Sequence, residues 1–157
     1  EFTQQVVSGR EQICGRSRGY WLRQRLRRHA SKLTGLLRLP DWSGRVQQDF
    51  SWKGIRSCNM GVWRTDFERV DGFDESFVGW GHEDADFVLR LHHSGLARKN
   101  GFCATEVYHL WHREAARDRE SQNAQTVQER EKSDVVRATL GYSQPRINDD
   151  AVITRLG

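Results

Sequence analysis

The stretch GWGHEDADFVLRL, residues 79 to 91, sets Trp80 between two glycines and then gathers three carboxylates, Glu83, Asp84 and Asp86, at the start of an apolar run. Glu83 to Leu91 are good helix formers followed by a stop at Gly95, so the acids fall in a first helical turn. Backbone N–H groups there lack intrahelical partners and the macrodipole adds partial positive charge, which favours carboxylates. Capping explains part of the cluster but not Asp84. That residue precedes Phe87 and Val88 by three and four positions and Leu91 by seven, which places it above the buried stripe rather than toward water. Asp86 has Arg90 at i+4 and is expected to pair with it on an exposed face. A partly desolvated Asp84 beside an aromatic, flexible Gly-Trp-Gly loop is what a general base needs: a carboxylate out of bulk water and a surface for a substrate to stack on.

The rest of the chain bounds that reading. A length of 157 residues with 36% hydrophobic content suits one modest core, and six tryptophans with 29% charged residues indicate a folded chain with a solvated exterior. No apolar run approaches the roughly 20 residues of a membrane span, and no export signal is expected at the N-terminus. Cys14, Cys58 and Cys103 are odd in number and in no paired metal-ligand spacing, which favours reduced thiols, a cytoplasmic location and no structural zinc.

The net charge of +4 hides a local excess: residues 16–38 hold Arg16, Arg18, Arg23, Arg25, Arg27, Arg28, Lys32 and Arg38 and no acid, and without them 17 basic side chains face 21 acidic ones. Leu22, Leu26, Ala30, Leu33 and Leu37 recur at helical spacing within this segment. Two readings stand. Either the stripe meets an anionic membrane surface with its arginines on the flanks, or it packs on its own domain while the arginines are solvated. No nucleic-acid-binding motif accompanies the charge, so a nucleic-acid partner is not expected.

Along the chain, FTQQVVS near the N-terminus reads as a short strand, and Pro40 and Gly44 mark a polar loop to about Gln48 as the internal joint. CNMGVW (residues 58–63) reads as a strand, RTDFERVDGFDESF (64–77) as a short helix closed by a turn at Asp71-Gly72, and ATEVYHLW (104–111) as a strand. Residues from about Arg117 to Lys132 form a polar helix with little apolar stripe, expected on the surface or frayed. The tail from Tyr142, with Pro145 and the NDD cluster, is expected to be poorly ordered. The organisation is then a strand and basic helix over 1–48, a central module over 49–116, and a polar helix and tail over 117–157. Trp63, Phe73, Phe77, Phe87 and Leu91 are the expected core of this α/β half-domain, whose half sheet leaves an exposed edge and allows self-association.

Residues 56–95, RSCNMGVWRTDFERVDGFDESFVGWGHEDADFVLRLHHSG, resemble the C-terminal, galactosyltransferase-like half of family 2 glycosyltransferases of the GT-A fold. The resemblance rests on an N-M-A-like strand, a G-G-F-D-E-like turn, a W-G-G-E-D-like helix start and a later histidine, in that order. VYHLWHRE (107–114) is similar to bacterial lipopolysaccharide or cell-surface sugar transferases.

The fold implied is a mixed sheet with flanking helices, and the activity implied is metal-dependent, inverting transfer of a sugar from a nucleotide-sugar to a glycan hydroxyl. By the same resemblance Asp84 is the catalytic base and Glu83 orients the acceptor, with Trp80, Gly81, Asn59 and Arg113 as substrate-binding residues and Arg113 meeting the diphosphate. His109 or His112, with His109 favoured, would bind a divalent cation, manganese or magnesium. The chain departs from the pattern in two respects. It has no nucleotide-binding half with a D-x-D strand end, so it is expected to be part of a longer enzyme and inactive alone, and His82 stands where relatives usually carry glycine. The competing function is a non-catalytic module that binds a membrane or partner through residues 16–38 and lies peripherally on the inner face of the membrane.

Overall fold

The computed structural model describes residues 1–52, 54–113 and 116–144. They divide between two compact units, one within Glu1–Val46 and Lys99–Glu114, the other within Gln47–Arg98 and Ala115–Gly157.

In the first unit, FTQQVV forms helix α1 (Phe2–Val7) in place of the expected strand. A strand must find a neighbour for its N–H and C=O groups, and the only ladder among the described residues joins other segments, whereas a helical turn satisfies itself, as in Gln5 N–H to Glu1 O at 3.1 Å. The basic segment forms helix α2 (Arg18–Leu26) and, further on, a 3-10 turn, Thr34–Leu36, rather than one continuous helix. Ser17 caps it by accepting the Tyr20 N–H at 3.3 Å, and the chain turns out of it where Arg28 adopts φ 60°. Its buried residues are Trp21 and Gln24, and Trp21 stacks on Tyr108 with centroids 4.8 Å apart. Of the leucine stripe, Leu22, Leu26 and Leu37 are more than half exposed while Ala30 and Leu33 are half-buried, so the packing reading holds for only part of it. One large aromatic, able to bury roughly 150–250 Å², anchors the helix in their place.

Arg45 organises the rest of this unit. It is buried, and its guanidinium donates to the carbonyls of Leu39, Pro40, Asn100 and Phe102 while lying 4.3 Å over the Trp42 ring. The four carbonyls satisfy a buried cation that would otherwise be costly to remove from water. Residues 104–111 are irregular rather than a strand, with Val107 and Tyr108 about half exposed. The sheet among the described residues has only two short strands, β1 (Val46–Gln47) and β2 (Arg98–Lys99), so the mixed sheet is not seen.

The second unit is helical. CNMGVW contains a 3-10 turn, Ser57–Asn59, and continues without strand pairing, again for want of a neighbouring strand. Helix α3 (Arg64–Arg69) ends as expected at Asp71-Gly72: both adopt positive φ, and the Gly72 N–H returns to Phe67 O at 2.9 Å. A Cβ on Gly72 would meet the Phe67 ring at 2.6 Å, so a larger residue does not fit the turn. Helix α4 (Glu83–His93) closes in the same way, with Gly95 at φ 89° and the Leu96 N–H bonded to Leu91 O at 3.1 Å.

Helix α5 (Glu120–Glu131) packs against α4, contrary to the surface position expected of it. Ala85 and Leu89 of α4 meet Val127 of α5, with Phe50, Trp52, Ile55 and Phe77 around them, while Phe87 stacks on Phe73 at 4.5 Å. Of the expected core only Phe87 is fully buried. Phe77 and Leu91 are half-buried, Phe73 is 38% exposed and Trp63 is 80% exposed, because Val70, Leu89 and Val127 take the interior positions. Tyr142 to Gln144 are held rather than loose, with Tyr142 N–H on Asp71 O at 3.1 Å and the Ser143 amide and hydroxyl on the Asp71 carboxylate. Pro145 and the NDD cluster lie outside the described residues. Among the described residues no helix is long and apolar enough to cross a membrane.

Candidate functional site

Helix α4 gives its three acids three different environments. Asp86, expected on an exposed face, is fully buried, and its partner Arg90 is equally buried at 2.8 Å. What fixes Asp86 inside is a second cation: Arg130 of α5 donates to its Oδ1 at 2.6 Å and reaches Asp74 at 2.9 Å. Arg90 also donates to Val70 O, the carbonyl that ends α3, and Arg130 to Thr139 Oγ1 at 2.7 Å. The chain Asp74–Arg130–Asp86–Arg90 ties α3, α4, α5 and the segment after α5 together. A buried carboxylate with two cationic donors is tolerated where an unpaired one is not.

Asp74 belongs to the Phe-Asp-Glu turn. Burial pushes its carboxyl up, but Ser76, the Thr139 amide and Arg130 outweigh that and hold it well below the usual carboxylate range. Asp71 is likewise held low, chiefly by the Ser143 hydroxyl against the opposing effect of burial, with Arg137 adding its charge at 3.1 Å.

Asp84 is half-buried, as its position above the stripe implies. Among the described residues its bond is a long one, 3.3 Å from the Ser57 N–H to Oδ2. This brings the Ser57–Asn59 turn, and with it the exposed Asn59, next to the start of α4. Glu83 is half-buried, and its Oε2 is enclosed with no hydrogen-bond partner among the described residues. A hidden carboxylate oxygen without a donor is costly, and an incoming hydroxyl would satisfy it.

The Gly-Trp-Gly loop is fixed from α5 and the residues just before it, through side chains that the sequence did not single out. Asn123, itself buried, donates to Gly81 O at 2.9 Å and Val78 O at 3.4 Å, and the Arg117 guanidinium lies 4.2 Å over the Trp80 ring. Trp80 remains 40% exposed. His82, at the N-cap of α4, has φ 71° and lies edge-on to Trp52 at 5.3 Å. The left-handed backbone explains why glycine is the expected residue here: a side chain at that φ is strained.

The remaining expected residues lie in the first unit. His109 and His112 are exposed with ring centroids 5.2 Å apart, His112 Nδ1 is 3.0 Å from Arg113 O, and Arg113 is exposed. Among the described residues no third His, Cys, Asp or Glu joins this pair.

Comparison with known proteins agrees with the motif region. Residues 43–113 match the family described as the N-terminal domain of galactosyltransferase, whereas the motifs had suggested a C-terminal half. A validoxylamine A glucosyltransferase of Streptomyces hygroscopicus subsp. jinggangensis (strain 5008) is 40% identical over 65 residues, 38% of this chain and 15% of that protein. The validoxylamine A glucosyltransferase of Streptomyces hygroscopicus subsp. limoneus is 40% identical over 65 residues, 38% of this chain and 14% of its own length. The match thus spans about one-seventh of these curated relatives. No solved structure matches. Residues 43–113 are therefore a glycosyltransferase-like segment.

Proposed function

We propose that this segment supplies the acceptor side of an inverting sugar transfer from a nucleotide-sugar, with Asp84 as the base and Glu83 holding the acceptor. The observation that carries the reading is the division of labour among the α4 acids. Asp86 is consumed by two arginines, while among the described residues Asp84 is half-buried with one weak amide bond and Glu83 has an enclosed oxygen without a partner. In the step proposed, an acceptor hydroxyl gives its proton to Asp84 as its oxygen attacks the anomeric carbon. The bond to the diphosphate breaks, its electron pair leaves with the nucleoside diphosphate, and the configuration inverts. Glu83 Oε2 accepts a neighbouring hydroxyl of the acceptor, and Trp80 offers its open area to a sugar face. A divalent cation, manganese or magnesium, would neutralise the leaving diphosphate in the complete enzyme. A glycan acceptor of the bacterial cell-surface type, including lipopolysaccharide, follows from the motif resemblance.

The test is Asp84→Asn in the full-length enzyme that carries these residues. Turnover should fall by about 10²–10⁴-fold with nucleotide-sugar affinity nearly unchanged, because base catalysis acts in the transition state. Near-normal turnover returns the carboxylate to helix capping and overturns the assignment.

A further inference from the structure

We infer that the first unit carries a docking face for an anionic lipid surface, centred on α2; this does not rest on the sugar-transfer reading. Within residues 1–46 and 99–113 there are 12 Lys and Arg against 4 Asp and Glu. Arg18, Arg23, Arg25, Arg27 and Arg28 are exposed and, among the described residues, pair with no carboxylate. Leu22 and Leu26, one turn apart, are turned away from the Trp21–Gln24 side that α2 uses to hold its own unit, and both are more than half exposed. At 100° per residue Arg18 and Arg25 lie on one side of these leucines and Arg23 and Arg27 on the other. Tyr108, stacked on Trp21 and 53% exposed, adds an amphipathic ring beside the helix.

The occupant follows from this combination. Five exposed arginines attract a negative surface, and two leucines set between them gain only if that surface has an apolar layer to receive them. A nucleic acid satisfies the arginines but leaves the leucines in water.

The experiment is co-sedimentation of the whole chain with vesicles of phosphatidylcholine alone and with about one-third phosphatidylglycerol, where anionic attraction of the exposed arginines predicts at least about tenfold tighter binding to the charged vesicles. That preference should weaken as salt rises. Leu22→Ser with Leu26→Ser should lose about tenfold or more on anionic vesicles, since the apolar burial of both side chains is removed. Both sites are exposed, so circular dichroism should be unchanged. Equal affinity for neutral vesicles overturns the proposal. So does a leucine variant that binds anionic vesicles and a DNA duplex as the parent does, which would make the face a general polyanion contact.

Discussion

Replacing Arg130 by methionine keeps the length and apolar body of the side chain and removes only the guanidinium. That group contacts Asp86 at 2.6 Å and Asp74 at 2.9 Å, and both carboxylates are fully out of water. Removing one member of a buried ion pair costs about 3–5 kcal/mol, because the charge left behind has lost its water as well as its partner. Here neither acid is wholly abandoned. Asp86 keeps Arg90 at 2.8 Å, and Asp74 keeps the amides of Ser76, Thr139 and Leu140. The expected loss is therefore at the low end, about 3 kcal/mol, a large share of the roughly 5–15 kcal/mol that holds a domain together. Arg64→Met is the control. Arg64 meets Glu68 at a similar 2.7 Å but is 89% exposed, and a solvated pair contributes about 0.5 kcal/mol or less. Urea unfolding followed by circular dichroism reads both: with a slope of about 2 kcal/mol per molar, Arg130→Met should lower the midpoint by about 1.5 M while Arg64→Met barely moves it. A loss under about 1 kcal/mol for Arg130→Met would refute the claim that this arginine holds α5 to the acids.

Asp74 and Asp71 both have carboxyls held low in the folded chain. In the unfolded chain they take up protons near pH 4, so their stabilisation is present above about pH 4 and is lost as pH falls through the lower folded values. Urea midpoints should drop steeply below about pH 4, and Asp74→Asn should flatten that acid limb. At His82, with φ 71°, glycine should stabilise by up to about 1 kcal/mol and valine should destabilise by about 1–2 kcal/mol. Melting temperatures in the order Gly, His, Val from high to low check this, and valine at or above histidine contradicts it.

The motif helix and both glycine-assisted helix ends were legible because each depends on residues within one or two turns, whereas the exposed position read for Asp86 was not realised. Acids at the first turn, cations at the last and Gly95 beyond bound α4 locally. The strands read from FTQQVVS, CNMGVW and ATEVYHLW were not realised, because a strand is a property of two segments and alternation in one does not provide the other. The length of α2 was overestimated for a related reason: leucine spacing continues past Leu26, but Arg28 takes a left-handed turn and Trp21 makes the packing contact.

By itself the sequence determined where charge falls and where α3 and α4 end, and it carried the motif whose glycosyltransferase likeness the family comparison shares. Tertiary structure alone decided which charge is buried. Asp86 and Arg90 look like an ordinary exposed i,i+4 pair until Arg130, 44 positions from Asp86, closes over them. Asn123 looks like a surface amide on a polar helix until it meets the carbonyls of Val78 and Gly81. Burial is a sum over all neighbours, near and far in the chain, and a local pattern holds only the near ones. Asp84 was left available by the same packing that consumed Asp86, because α5 covers one side of α4 and the start of the other remains half open.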